Sequence, residues 1–403
     1  MRIVHVAVAL SAVTASLVGL RVLAQQSAPA ATPATPDALT EDGRITHATP
    51  NTVRLAGPNV YAAAASITQA VYGASHHEDR PHAITLVRAD RQAHAMLAVS
   101  RITHFPVNSP VLYVDADRLP PETLAEMRRL GPDGNTYHAD VQVYLVGPIS
   151  ERVEREVQRE LGYKTFAFRT EDPFLLSEEL DTWAAAVHAD RPHEAIIVQV
   201  DHLDTGLPGV AWNAHMGHAL FFVQGDTVPE ATKRALARRS GGALIYLFGD
   251  QAILSESVQR ELSAFGHVQR VAGRDAYDIS LSFASYRDWG MAMGHWIGSR
   301  SRDFGWGIQE PGHNFTFANP AYWQQAVTGS LLSHMGKHGP MILVRPEGLS
   351  EAAAQYLDRV KPSEGAPNDQ LNNHGWILGG IDQIRWGAQA DIDLVLEPRV
   401  SVE

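Results

Sequence analysis

Short apolar runs punctuate the chain, and segments with helical spacing separate them. His82–Val87, Val111–Val114 and Val141–Val146 read as buried strands. Between and around them, Tyr61–Tyr72, Ala93–Ile102, the stretch from Pro120-Pro121-Glu122 to Leu130, and Glu151–Leu161 carry apolar residues at helical intervals. In the last of these, Val153, Val157 and Leu161 share one face. The order then returns. Ala195–Val200, Ala219–Val223 and Ala243–Phe248 repeat the strands, and Pro229-Glu230 opens a helix as Pro121-Glu122 does. A third round has a helix over Ala321–His334, a strand at Met341–Val344, a helix capped by Ser350, and strands at Trp376–Leu378 and Asp393–Leu396.

Sequence identity supports this periodicity. The five residues Val157–Leu161, VQREL, recur as Val258–Leu262. Arg54–Tyr61 (RLAGPNVY) recurs as Arg270–Tyr277 (RVAGRDAY), with a degraded copy at Ala167–Phe174 (AFRTEDPF). Recurrence in matched context marks tandem units. Strands alternating with helices predict parallel sheets covered on both faces. The expected fold is α/β: three tandem Rossmann-like parallel-sheet units in a pseudo-threefold arrangement. The expected units are 51–162, 163–266 and 267–403, the last with a Gly- and aromatic-rich insertion at 287–320.

The first residues stand apart. A basic start, the apolar run Ile3–Val22 and the small residue Ala24 predict a signal peptide over 1–24. Residues 25–50 follow as a flexible Ala/Pro/Thr-rich spacer. No later stretch is long and apolar enough to span a bilayer, so the expected location is periplasm, cell surface or medium. The formal charge of −12 argues against nucleic acid as a partner. Without cysteine, disulfides, thiolate nucleophiles and Cys-ligated zinc are excluded.

The repeated segment resembles the opening motif of the bacterial cell-wall-binding repeat 2 family, Arg-x-Ala/Ser-Gly-x-Asp/Asn-Arg-Tyr, and Ile377–Asp382 (ILGGID) resembles its closing Gly-Gly strand. The sequence departs from the family at Val60 and Ala276, where the motif has Arg, and at the second helix, which lacks Asp-Ala-Leu. The resemblance covers about Asn51 to Pro398. It implies a non-catalytic binding module for an anionic envelope glycopolymer or a surface protein. It also implies ligand contacts from Arg54, Asn59, Tyr61, Arg270, Asp275 and Tyr277. Gly57, Gly273, Gly147, Gly249, Gly379 and Gly380 read as structural turns.

Other chemistry is sparser. An Arg is suited to clamping a phosphate or carboxylate, or equally to bonding loop carbonyls between units. Arg128-Arg129, Lys233-Arg234 and Arg238-Arg239 lie on equivalent helices and offer a basic stripe or a solvated face. The insertion's tryptophans suit sugar stacking or a lid over the third unit's core. Nineteen histidines raise an alternative function, a histidine-rich metal-binding protein or metallohydrolase, with His76-His77, His202, His215, His218, His295, His313, His334 and His338 as donors. No His-Glu-x-x-His, phosphate-loop, Gly-x-Gly-x-x-Gly or Gly-x-Ser-x-Gly motif accompanies them. Asp201, His202 and Asp204 sit at a strand's carboxyl end without a motif. The expected assignment is therefore no metal, no cofactor and no catalytic residue.

Overall fold

The computed structural model describes residues 45–399, apart from 101, 105–106, 190, 289, 291–302, 336–337 and 364–371. The segment predicted as a signal peptide lies outside the described residues. Strand β1 (Ile45–Ala48) shortens the predicted spacer, because it pairs antiparallel with β2 (Thr52–Ala56).

Three sheets share one topology. The first holds β3 (Ile84–Arg88), β4 (Val111–Val114), β5 (Val143–Val146) and β6 (Thr165–Phe168). Its spatial order is β4-β3-β5-β6, all parallel. The second holds β7 (Glu194–Gln199), β8 (Ala219–Val223), β9 (Ala243–Phe248) and β10 (Gly266–Val271), in the equivalent order β8-β7-β9-β10. The third has β11 (Asn314–Ala318), β12 (Met341–Leu343) and β13 (His374–Leu378). Its fourth strand is β2, from the other end of the sequence, so the order runs β12-β11-β13-β2-β1. The inner strands are buried along nearly their whole length, because helices cover both faces.

This membership corrects the unit boundaries at 162/163 and 266/267. Each motif segment ends one sheet and then departs from it. Strand β2 precedes α1 (Val60–Val71), which packs on β4 and on α3 (Pro121–Leu130) of the first sheet. Strand β6 precedes α5 (Pro173–Val187), which packs on β8 and α7 (Glu230–Ala237) of the second. Strand β10 precedes α9 (Ala276–Ser285), which packs on β12 and α12 (Glu351–Arg359) of the third. The pattern closes on itself, one unit handing a helix to the next.

At the centre, the helices after each first strand pack mutually. These are α2 (Gln92–Val99), α6 (Leu207–Met216) and α10 (Trp323–Gly329). The cyclic contacts and these three helices define a pseudo-threefold axis.

The third unit departs from the sequence expectation in three places. The predicted helix over Ala321–His334 is broken into a short turn, α10 and α11 (Leu332–Met335). The predicted insertion 287–320 contains β11, an inner strand of its sheet between β12 and β13. Asp393–Leu396 is the end of helix α13 (Trp386–Leu396), not a strand. Its buried Ala388, Ile392 and Leu396 recur every four residues, which is a helical face. Helices α4 (Glu151–Leu161) and α8 (Glu256–Leu262) carry the VQREL repeats.

Candidate functional site at the junctions between units

The repeated motif builds the crossing from one unit to the next. Asn59 accepts hydrogen bonds from the N–H groups of Tyr61 (3.1 Å) and Ala62 (3.0 Å) and so caps α1. Asp275 caps α9 through Asp278 N–H (2.8 Å), and Asp172 of the degraded copy caps α5 through Phe174 N–H (2.7 Å). All three copies therefore keep an N-cap at the same place. Gly57 and Gly273 make the turn into the helix. A Cβ on Gly57 would stand 2.4 Å from the nitrogen of Ala63, and one on Gly273 would stand 2.5 Å from Cγ1 of Ile279. Gly147, Gly249 and Gly379 end the third strand of each sheet with positive φ, which a side chain disfavours. Gly380 completes the last of these loops and accepts from Arg54.

Arg54 and Arg270 bond these loops. Arg54 is 0 % exposed. Its Nη1 donates to the carbonyls of Gly379 (2.6 Å) and Gly380 (3.1 Å), and its Nε donates to Oε1 of Gln389 (2.8 Å). Burial lowers its pKa to about 10, against the opposing pull of Asp382. Arg270 repeats the arrangement, donating to the carbonyl of Gly249 (2.7 Å) and to Gln259 (2.8 Å). Burial lowers its pKa as well. In the degraded copy, Ala167 takes the Arg position, and Arg169 bonds the Ile149 carbonyl of the corresponding loop (2.9 Å). Loop carbonyls and glutamines thus engage Nε and Nη1 of Arg54 and both terminal nitrogens of Arg270, while Nη2 of Arg54 is buried without a hydrogen-bond partner.

Tyr61 and Tyr277 face the next unit. The Tyr61 hydroxyl bonds Asp115, and Arg118 stands over its ring at 5.8 Å. Burial and Asp115 push the phenol up to about 12. Arg345 lies over the ring of Tyr277 at 4.1 Å. It is exposed and has no ion-pair partner among the described residues.

Grooves open beside these two tyrosine-bearing helices. One, of about 420 Å³, lies between α1 and α3 and is lined by Ala62, Ala65, Gln69, Ala125 and Glu122 among others. Another, also about 420 Å³, follows the second motif and is lined by Asp250, Gly273, Arg274, Asp278, Leu281 and Ala352. The equivalent α5–α7 junction, where the motif is degraded, is bridged by ion pairs. Glu178 binds Arg234 and Arg238, and the buried Asp181 binds Arg239 at 2.7 Å. Lys233 pairs with Glu230 and Glu261, and Arg129 pairs with Glu126. The expected basic stripe is thus largely neutralised within the protein.

The described part of the insertion packs inward. Phe304 stacks on Tyr246 at 3.5 Å, and Trp306 meets Trp212 at 5.0 Å and His215 at 5.2 Å. Phe315 and Phe317 belong to the core strand β11. Trp289 and Trp296 lie outside the described residues.

The histidines divide. His76 and His77 are exposed, and His202 lies on an exposed turn with Asp201 and Asp204. His218 accepts a hydrogen bond from Trp212 Nε1 (3.0 Å) and stands 3.8 Å from Glu194. Burial lowers the pKa of His313, and His295 lies outside the described residues. His215, however, meets His338 at 4.5 Å and His334 at 6.4 Å between ring centres, and His334 meets His104 at 5.0 Å. The sequence reading had left out His104. Burial, and then the neighbouring imidazoles, pull the pKa values of His215 and His334 down to about 4. Among the described residues, no three His, Asp or Glu side chains stand as a ready-made ligand set.

No family model matches the chain. Over 106 residues it is 26% identical to the amidase enhancer of Bacillus subtilis (strain 168), a match covering 26% of this chain and 15% of that protein. Among solved structures, Cwp6 from Clostridium difficile superposes with a TM-score of 0.69 at 14% identity, over 88% of this chain and 51% of that one. Cwp8 from Clostridium difficile gives 0.67 at 18% identity, over 86% and 52%. The chain thus spans about half the length of these solved chains and shares their fold. No described helix is long and apolar enough to cross a membrane.

Proposed function

We propose that the chain is an exported, non-catalytic module of the cell envelope, and that its two open junction grooves hold an envelope glycopolymer. The observation that carries this reading is the distribution of the grooves. They lie at the two junctions that keep the Arg-x-Ala-Gly-x-x-x-Tyr motif, and ion pairs bridge the junction that has lost it. Support also comes from the motif resemblance, from the fold shared with Cwp6 and Cwp8, and from the match to a protein named as an enhancer of an amidase rather than as an amidase.

The grooves refine the chemistry. Gln69, Glu122, Asp250 and Asp278 suit polymer hydroxyls. Arg345 beside Tyr277, with Arg274 at the groove wall, offers cationic contacts to an anionic unit. Asn59 and Asp275 act as caps that hold these helices in place, and Tyr61 and Tyr277 lie on the same helices.

The test is co-sedimentation of the full chain with purified envelope at low and high salt. Salt-sensitive binding, weakened by Arg345→Ala and by filling the first groove with Ala65→Trp, is the expected result. Absence of co-sedimentation at any salt overturns the proposal.

A further inference from the structure

Three of the clustered histidines hold the same position in each unit. The first strands end at Arg88, Gln199 and Ala318, and the same sequence offset leads from these residues to His104, His215 and His334. His104 follows α2, His215 lies in the last turn of α6 and His334 follows α10, so the three helices at the pseudo-threefold axis bring these imidazoles together. His338 adds a fourth ring from the third unit.

From this we infer a transition-metal site on the axis, formed by His104, His215, His334 and His338, for a borderline divalent ion of the zinc type. An imidazole nitrogen binds such an ion at about 2.0–2.1 Å, which puts two rings on one ion about 5 Å apart between centres. The observed separations of 4.5, 5.0 and 6.4 Å bracket that spacing. The four rings do not stand as a ready-made set, so binding an ion requires the His104 and His338 rings to turn toward those of His215 and His334.

Local hydrogen bonding supports the assignment. The Nδ1 atoms of His215 and His334 are buried and make no hydrogen bond. His334 Nε2 lies 3.3 Å from Oδ1 of Asn108, which only accepts. The ring therefore carries its proton on Nε2 and leaves the Nδ1 lone pair free. A carbonyl oxygen on the far nitrogen is how ligand imidazoles are usually oriented. Room has been made as well: Gly217, at the end of α6, lies where a Cβ would stand 3.0 Å from the His104 ring. Trp306 holds the His215 ring face to face at an interplanar angle of 18°. Burial and mutual repulsion keep His215 and His334 neutral at neutral pH, the form that binds a metal. Arg287 is a further cation near His215, and its guanidinium is paired with Asp303. His338 is exposed, so the cluster opens to solvent on that side.

The test uses the full chain stripped with chelator and titrated with Zn2+ by calorimetry, with Co2+ as the spectroscopic probe. The expected result is one ion per chain, a raised Tm, and the ligand-field absorption of an imidazole-bound Co2+. His215→Gln and His334→Gln should each weaken binding at least about tenfold, and Asn108→Ala should weaken it by a similar order through loss of orientation. Far-UV circular dichroism of the stripped variants separates lost ligation from lost fold. His76→Ala with His77→Ala, which removes exposed imidazoles remote in sequence, should leave binding unchanged. If the stripped chain takes up no ion, or if binding survives both Gln variants and disappears with His76 and His77, the site does not exist.

Discussion

Nη1 of Arg54 donates to the carbonyl oxygen of Gly379 at 2.6 Å, tying the first described strands to the loop that ends the last sheet. Arg54→Ala leaves two buried carbonyls and Gln389 without their donor. Leaving a buried acceptor unsatisfied costs about 1–3 kcal/mol. The urea midpoint should fall accordingly, and Arg54→Lys should recover little, because an ammonium does not reproduce the fork. Arg270→Ala should cost less, since Arg270 is only partly buried. Equal losses for the two would argue against burial as the cause.

Strand β2 pairs with β13, so deleting residues 45–56 should injure the third sheet and spare the first. Hydrogen exchange is the measurement. Protection should drop at His374–Leu378 and remain at Ile84–Arg88. Loss confined to the first sheet would contradict the pairing.

The histidine cluster makes stability depend on pH. The folded pKa values of His215 and His334, about 4, lie below the usual imidazole value near 6.5. The unfolded chain therefore binds protons more readily in this window. Stability is intact above about pH 6.5 and declines as pH falls toward 4. His215 faces His338, His334, His104 and Arg287, while His334 faces His104 and His338. The Tm of the metal-free chain should fall between pH 7 and 5, and His215→Gln should flatten that fall.

The α5–α7 junction offers a contrast of buried and exposed pairs. Arg239 and Asp181 are 0 % and 2 % exposed at the side chain, whereas Arg234 is 51 % exposed beside Glu178. Asp181→Ala should destabilise by about 3–5 kcal/mol, because it strands a buried guanidinium. Arg234→Ala should cost about 0–1 kcal/mol. Chemical denaturation of both variants checks the ranking.

Much of the fold was legible because periodicity reports burial directly. Val111–Val114, Ala219–Val223, Ala243–Phe248 and Glu151–Leu161 are elements with the bounds their patterns predict. Strand β11 escaped, since its Asn314-Phe315-Thr316-Phe317-Ala318 sits inside a Gly- and aromatic-rich stretch without a plain apolar run. The partner of β2 was not legible for a different reason. A strand's pattern shows which faces are buried but not which neighbour covers its edge.

The site was read less well. The motif stood out, but residue type alone does not separate an arginine aimed at a ligand from one holding its own loops. His104 was missed because the histidines were weighed by separation along the chain. Placing the units in register by their first strands would have set His104, His215 and His334 in one column.

The pairing of β2 with β13 also sets an order of events during synthesis. Strand β2 emerges early, and its partner β13 appears only after His374 has been added. Until then α1 leaves an unfinished strand, and the closure entropy of the long intervening loop is paid last. A product terminated early completes its first two sheets and leaves β2 without β13. Such a fragment exposes strand edges open to proteolysis or aggregation. Completion of the ring thus waits until synthesis has passed β13.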